Sequence, residues 1–140
     1  TVIGGHGDTT MIPLTRLASY QSSPVSAHLS EERLAKAKAD TMVGGATLTG
    51  LLGTSAWYAP GAAGAALVAS IVRDEKRVFP CCVALNGEYG QSDICLGVPV
   101  VVGKNGWEKI VTLDLTEAEQ AEFNKSAAAV RSMNAVLDTL

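Results

Sequence analysis

A chain of 140 residues sets 11 Lys and Arg against 14 Asp and Glu, for a net charge of −3. That length suits one domain with its own core, and the acidic balance speaks against nucleic acid, whose binders displace counterions with a basic patch. Aromatics make up only 5% of the residues, too few for a base-stacking platform, and no apolar run reaches the roughly 18–20 residues that span a bilayer.

The first fourteen residues read as strand, loop, strand: Thr1–Ile3 and Met11–Leu14 flank a polar turn rich in glycine. The first strand has almost no lead-in, so the chain is expected to start inside a larger protein. Gln21–Leu29 is a Ser/Pro-rich connector. Ser30 then suits an N-cap, with Glu31 and Glu32 in the favourable first turn. A helix is expected from Glu31 to Leu52, weakened by Gly44, Gly45 and Gly50. Gly53–Ala59 is a break, and Pro60 opens a second helix running to about Val72. Its run of Ala and Gly suggests close approach of another helix or another subunit.

From residue 75 the period changes. Val78–Leu85 is a continuous apolar strand, Asn86-Gly87 a turn, Gly97–Val102 a strand, and Lys104-Asn105-Gly106 a turn into Trp107–Leu113. Thr116 and Glu119 have the spacing of a capping box for a last helix. Its apolar positions are Phe123, Ala127, Val130, Met133 and Leu137. The expected class is α+β: an antiparallel or mixed sheet with long helices packed on it.

Cys81 and Cys82 are adjacent, so on a strand they point to opposite faces, poor geometry for a mutual disulfide or for zinc. With Cys95 they read as small buried hydrophobes of a reducing cytosol. Thr1 opens no secretory signal, and the expected location is cytoplasmic.

Of the two histidines, His28 lies in the polar connector with nothing patterned around it. His6 stands in Gly4-Gly5-His6-Gly7-Asp8, where flanking glycines leave an imidazole uncrowded at a strand end, a place suited to proton transfer near neutral pH. On local pattern alone, a tight turn that happens to contain His explains the segment as well. One His beside Asp8 offers too few ligands for a metal. No nucleophile elbow, no G-x-G-x-x-G after a strand and no P-loop occurs, and Gly61-Ala62-Ala63-Gly64 reads as helix packing.

The segment Ile3-Gly4-Gly5-His6-Gly7-Asp8 followed by Met11-Ile12-Pro13-Leu14 resembles the active-site histidine segment of the lactate and malate dehydrogenases. Ser55–Pro60, Lys76–Cys81, Asn86–Gly90, Asp93–Pro99 and Leu115–Glu119 extend the resemblance in order over essentially the whole chain. It implies the C-terminal, catalytic half of an NAD-dependent enzyme of the malate type, residues 1–140, without the nucleotide-binding domain. His6 then matches the residue that exchanges a proton with the substrate hydroxyl. Ala56 matches a position near the substrate where lactate enzymes commonly carry Thr, so that room is left for a second carboxylate. Pro60 matches the residue packed on the nicotinamide face, although Trp57–Pro60 also reads as a plain helix break. The family's orienting aspartate and carboxylate-gripping arginines precede the first residue here, and Arg16 and Arg73 read as structural. The resemblance therefore implies malate and oxaloacetate as substrates, weak or absent NAD binding by this half alone, and a homo-oligomer. A catalytically silent oligomerisation domain, or a lactate or other 2-hydroxyacid enzyme, are the alternatives.

Overall fold

The computed structural model describes residues 1–139. Strands β1 (Val2–Gly4) and β2 (Met11–Pro13) pair as a hairpin, and a second short pair follows, β3 (Ser19–Tyr20) and β4 (Ser23–Pro24). Helices α1 (Glu31–Leu52) and α2 (Tyr58–Val72) come next, then β5 (Arg77–Asn86), β6 (Ser92–Gly103), β7 (Gly106–Ile110) and α3 (Glu117–Asn134). Strand β6 is the spine of the main sheet. One edge pairs with β5 over its whole length, and the other takes β1 at Gly97 and β7 from Val100 to Gly103. Every ladder among the described residues is antiparallel, so the expected α+β class forms.

The two long strands have a residue period of two, and that sorts their side chains by face. Ile94, Leu96, Val98, Val100 and Val102 of β6, with Val83 and Leu85 of β5, are buried on the side where the helices lie. Phe123 and Ala127 of α3, and Ile3, Ile12 and Leu14 from the first hairpin, complete that core. Ser70, buried on α2, donates to the Val102 carbonyl at 2.8 Å. The bond satisfies a hydroxyl that would otherwise be costly inside and fastens α2 to β6. On the opposite face, Val78, Pro80, Cys82, Ala84 and Cys95 are exposed.

The cysteine reading is therefore corrected. Cys81 and Cys82 do point to opposite faces and all three thiols are free, but Cys82 and Cys95 are exposed and Cys81 is only half-buried. The helices cover a single face of the sheet. Strand β6 begins at Ser92 rather than Gly97, because Ile94 and Cys95 continue the ladder opposite Leu85 and Ala84. Strand β7 ends at Ile110 rather than Leu113. Beyond it the Leu113 amide donates to the Tyr89 hydroxyl at 2.9 Å, and that hydroxyl donates to the Val111 carbonyl at 2.9 Å.

The helix ends follow the sequence closely. The Ser30 hydroxyl accepts from the Arg33 amide, and Gly53 closes α1 at φ 69°, a conformation that glycine adopts freely. Gly44, Gly45 and Gly50 leave α1 unbroken. No residue of α1 is buried, although Lys38 pairs with Glu122 of α3 at 2.7 Å. Helix α2 starts at Tyr58, with Pro60 in its first turn. The Cβ positions of Gly61 and Gly64 have no neighbour within 4 Å, so the close approach expected of this helix is not made inside the chain. Thr116 and Glu119 form the capping box, and Arg16 grips Glu119 at 2.9 Å. That guanidinium, with help from Thr116, pulls the Glu119 carboxyl down to about 2. Arg16 is thus structural, as read, and Arg73 lies 3.6 Å from Glu75. The apolar stripe of α3 is shorter than expected. Met133 and Leu137 are each 69% exposed, because the chain leaves the core and tightens into a 3-10 turn over Ala135–Thr139. Among the described residues no helix is long and apolar enough to cross a membrane.

Candidate functional site

The loop that carries His6 is built by two close backbone approaches. Strand β1 crosses β6 where Gly4 faces Gly97, and a Cβ on Gly97 would sit 2.9 Å from the Gly4 oxygen. Gly4 itself has φ +92°, and a Cβ there would meet the Thr10 oxygen at 2.7 Å and the Ser126 Oγ at 2.8 Å. Only glycine fits either place without displacing backbone. Beyond His6, the Thr10 and Met11 amides both donate to the Gly7 carbonyl, at 2.9 and 3.1 Å, and the Gly7 amide donates to Thr10 Oγ1 at 2.8 Å. These bonds close a turn from Gly7 to Thr10.

The rest of the anchoring comes from α3. The Gly5 amide donates to Ser126 Oγ at 2.8 Å, and the Ser126 hydroxyl donates to the Thr10 carbonyl at 2.7 Å. One buried hydroxyl therefore holds both ends of the segment that presents His6, whose side chain is exposed.

His6 stands at a cavity of about 380 Å³ whose walls include Gly5, Met11, Cys82, Cys95 and Val130. The walls are mainly apolar, and His6 brings an imidazole to their rim. Burial pushes the Cys81 thiol up; desolvation, then the neighbouring Cys95 and Cys81, push Cys82 up. Thiols so raised stay protonated and are poor nucleophiles. Among the described residues no group of three His, Cys, Asp or Glu side chains could hold a metal ion.

The other two residues singled out by the sequence are elsewhere. Ala56 is half-buried in the segment between α1 and α2, and Pro60 is exposed in the first turn of α2. Neither lines the cavity at His6. His28 is exposed, its ring edge-on to Tyr20 at 5.9 Å. Sequence reasoning missed Ser126. A small hydroxyl between Phe123, Ala127 and Val130 on an otherwise apolar stripe is the signal that could have found it.

Residues 1–137 match the family described as the lactate/malate dehydrogenase, alpha/beta C-terminal domain. The malate dehydrogenase of Flavobacterium johnsoniae is 66% identical over 139 residues, 99% of this chain and 45% of that protein. That of Bacteroides fragilis is 66% identical over 136 residues, 97% of this chain and 44% of that protein. Among solved structures, the malate dehydrogenase of Salinibacter ruber superposes with a TM-score of 0.95 at 40% identity, covering 99% of this chain and 45% of that one. The lactate dehydrogenase of Cryptosporidium parvum, solved with lactic acid and nicotinamide adenine dinucleotide, gives 0.94 at 34% identity, over 99% of this chain and 45% of that one. The chain thus spans a little under half the length of the relatives it matches, and it belongs to the lactate/malate dehydrogenase family as a C-terminal α/β domain.

Proposed function

We propose that this chain is the catalytic half of an NAD-dependent malate dehydrogenase, in which His6 exchanges a proton with the hydroxyl of malate. The observation that carries this reading is an exposed imidazole on a loop pinned at both ends, beside a mainly apolar cavity, in a chain of this family. In the oxidising direction an imidazole nitrogen of His6 takes the hydroxyl proton as the carbinol carbon becomes a ketone. In reverse the imidazolium returns it to the oxaloacetate oxygen. NAD, when bound, supplies the hydride acceptor.

The residues present fit only the nicotinamide end of that cofactor. An apolar wall beside an imidazole suits the ring; Pro60, which does not line that wall, is proposed as a nicotinamide contact on the resemblance alone. Pyrophosphate is favoured by free amides at a helix N-terminus without competing carboxylates. Helices α1 and α3 instead open on Glu31, Glu32, Glu117 and Glu119, and the first turn of α2 holds Pro60, which lacks an N–H. The phosphates, the aspartate that would orient His6 and the arginines that would hold the substrate carboxylates are assigned to the N-terminal half of the relatives. The free, partly exposed thiols suit a reducing, cytoplasmic setting.

The test is steady-state NADH oxidation by a full-length polypeptide carrying this sequence as its C-terminal half. Oxaloacetate is expected to be preferred over pyruvate, and the 140-residue chain alone is expected to turn over neither. Ala56→Thr should erode the preference by about 1–3 kcal/mol, the range of single-group discrimination. A preference for pyruvate in the parent, or turnover by the isolated chain, would overturn the reading.

We also propose that this half carries a subunit contact. Helix α1 has no buried residue, α2 leaves Tyr58, Val68 and Val72 exposed, and the glycines of α2 have open space around them. Small side chains let a second backbone pack closely, and exposed apolar patches favour association. Light scattering at several concentrations should give a mass above 14.5 kDa for the chain, most simply twice that. A constant mass near 14.5 kDa rules the contact out.

A further inference from the structure

We infer that Ser126 is a positioning residue for His6, acting across the fold from the last helix on the loop that presents the imidazole. The inference rests on the reading of His6 as the proton-transfer residue.

Three observations converge on Ser126. It is 3% exposed, and its hydroxyl both accepts, from the Gly5 amide at 2.8 Å, and donates, to the Thr10 carbonyl at 2.7 Å. Those partners bracket His6, one residue before it and four after, so one oxygen ties the two sides of the loop together just inside the Gly4–Met11 ladder pair. Among the described residues no other side chain bonds to both flanks. The bonds of Thr10 to Gly7 shape the far turn only, and the Gly5 amide has no backbone partner in the β1–β2 or β1–β6 ladders. Finally, the space at Gly4 is filled by the same oxygen: a Cβ there would come within 2.8 Å of Ser126 Oγ. Glycine at the strand end and serine on the helix are thus two halves of one fit.

A hydroxyl is suited to this task because it donates and accepts at once. Alanine leaves the Gly5 amide and the Thr10 carbonyl without their partner and leaves the loop held by the Gly4–Met11 ladder pair without this second tie. The imidazole then samples positions around the productive one, and proton transfer tolerates little displacement.

The experiment uses the full-length polypeptide with four variants: Ser126→Ala, Ser126→Thr, His6→Asn and the double variant Ser126→Ala/His6→Asn. Ser126→Ala is expected to lower kcat about ten- to a hundredfold, the scale of a misplacement of about an ångström, with NADH affinity unchanged. Ser126→Thr keeps the hydroxyl and should recover most of that loss. In the His6→Asn background the same Ser126→Ala change should cost less than about twofold, because residues acting through one group are not additive. An unchanged kcat in Ser126→Ala, while His6→Asn is impaired, overturns this inference alone. An equal loss in both backgrounds also overturns it, showing a general support of the fold. Full turnover in His6→Asn sinks the reading of His6 itself. Should Ser126→Ala not fold, Ser126→Cys takes its place, since a thiol keeps the volume but bonds weakly.

Discussion

His6→Asn, introduced into the full-length polypeptide, is expected to lower kcat by a factor of ~10² to 10⁴, the usual contribution of a positioned general acid or base. In barrier height that is roughly 3–5 kcal/mol. Asparagine keeps much of the size and polarity of the imidazole and loses the proton exchange. The loop is held by Gly4, Gly5, Gly7, Thr10 and Ser126, none of which relies on the His6 side chain for the bonds described. Folding and NADH affinity should therefore be unaffected, and the whole deficit should appear in the chemical step. Stopped-flow measurement of hydride transfer at saturating substrate separates that step from product release. A variant that retains most of its turnover would reduce His6 to a turn residue.

Phe123→Ala should cost about 3–5 kcal/mol of stability, the range for emptying a fully buried aromatic site. Phe123 is 0% exposed and packs its ring against that of Tyr89, with centroids 5.2 Å apart. Tyr89 in turn holds the Val111 carbonyl and the Leu113 amide, so the cavity would open where α3, the β5–β6 turn and the segment after β7 meet. A chain of this size should lose at least about 10 °C in its unfolding midpoint, readable by calorimetry. A loss below about 1 kcal/mol would mean that α3 is not seated as described. Phe123 also precedes Ser126 by one turn of α3, so unseating the ring loosens the tie to the His6 loop.

What could be read from the sequence was what neighbouring residues decide among themselves. Ser30 with Arg33, Thr116 with Glu119 and Gly53 after Leu52 fix helix ends within a few residues, and each stands where its pattern placed it. The β3–β4 hairpin was invisible because Gln21 and Ser22 make its turn at φ 49° and 64°. Positive φ at both positions marks a type I′ turn, whose usual signal is Asn-Gly or Asp-Gly. The exposure of Cys82 and Cys95 could not be read either. An apolar run says that a strand is buried on one face or two, and the choice depends on how many helices cover the sheet. His6 was found through its glycines, but its anchor was not, since Ser126 lies 121 residues beyond the Gly5 amide it holds. Ala56 and Pro60 came from resemblance alone, and nothing in their local pattern distinguishes a substrate neighbour from a helix break.

The long tie from Ser126 to the His6 loop also sets an order of assembly. The β5–β6 hairpin closes over a turn of only a few residues and can zip early. The bonds from Ser126 to Gly5 and Thr10 join positions 121 and 116 residues apart, and such distant closures come late because they wait on everything between them. During synthesis, His6 emerges among the first residues of this segment, in a hairpin that can pair locally, and its loop gains the Ser126 anchor only once the last helix has been made and docked. The loop's last anchor is thus withheld from a half-built domain, and arrives only with the final elements of the fold.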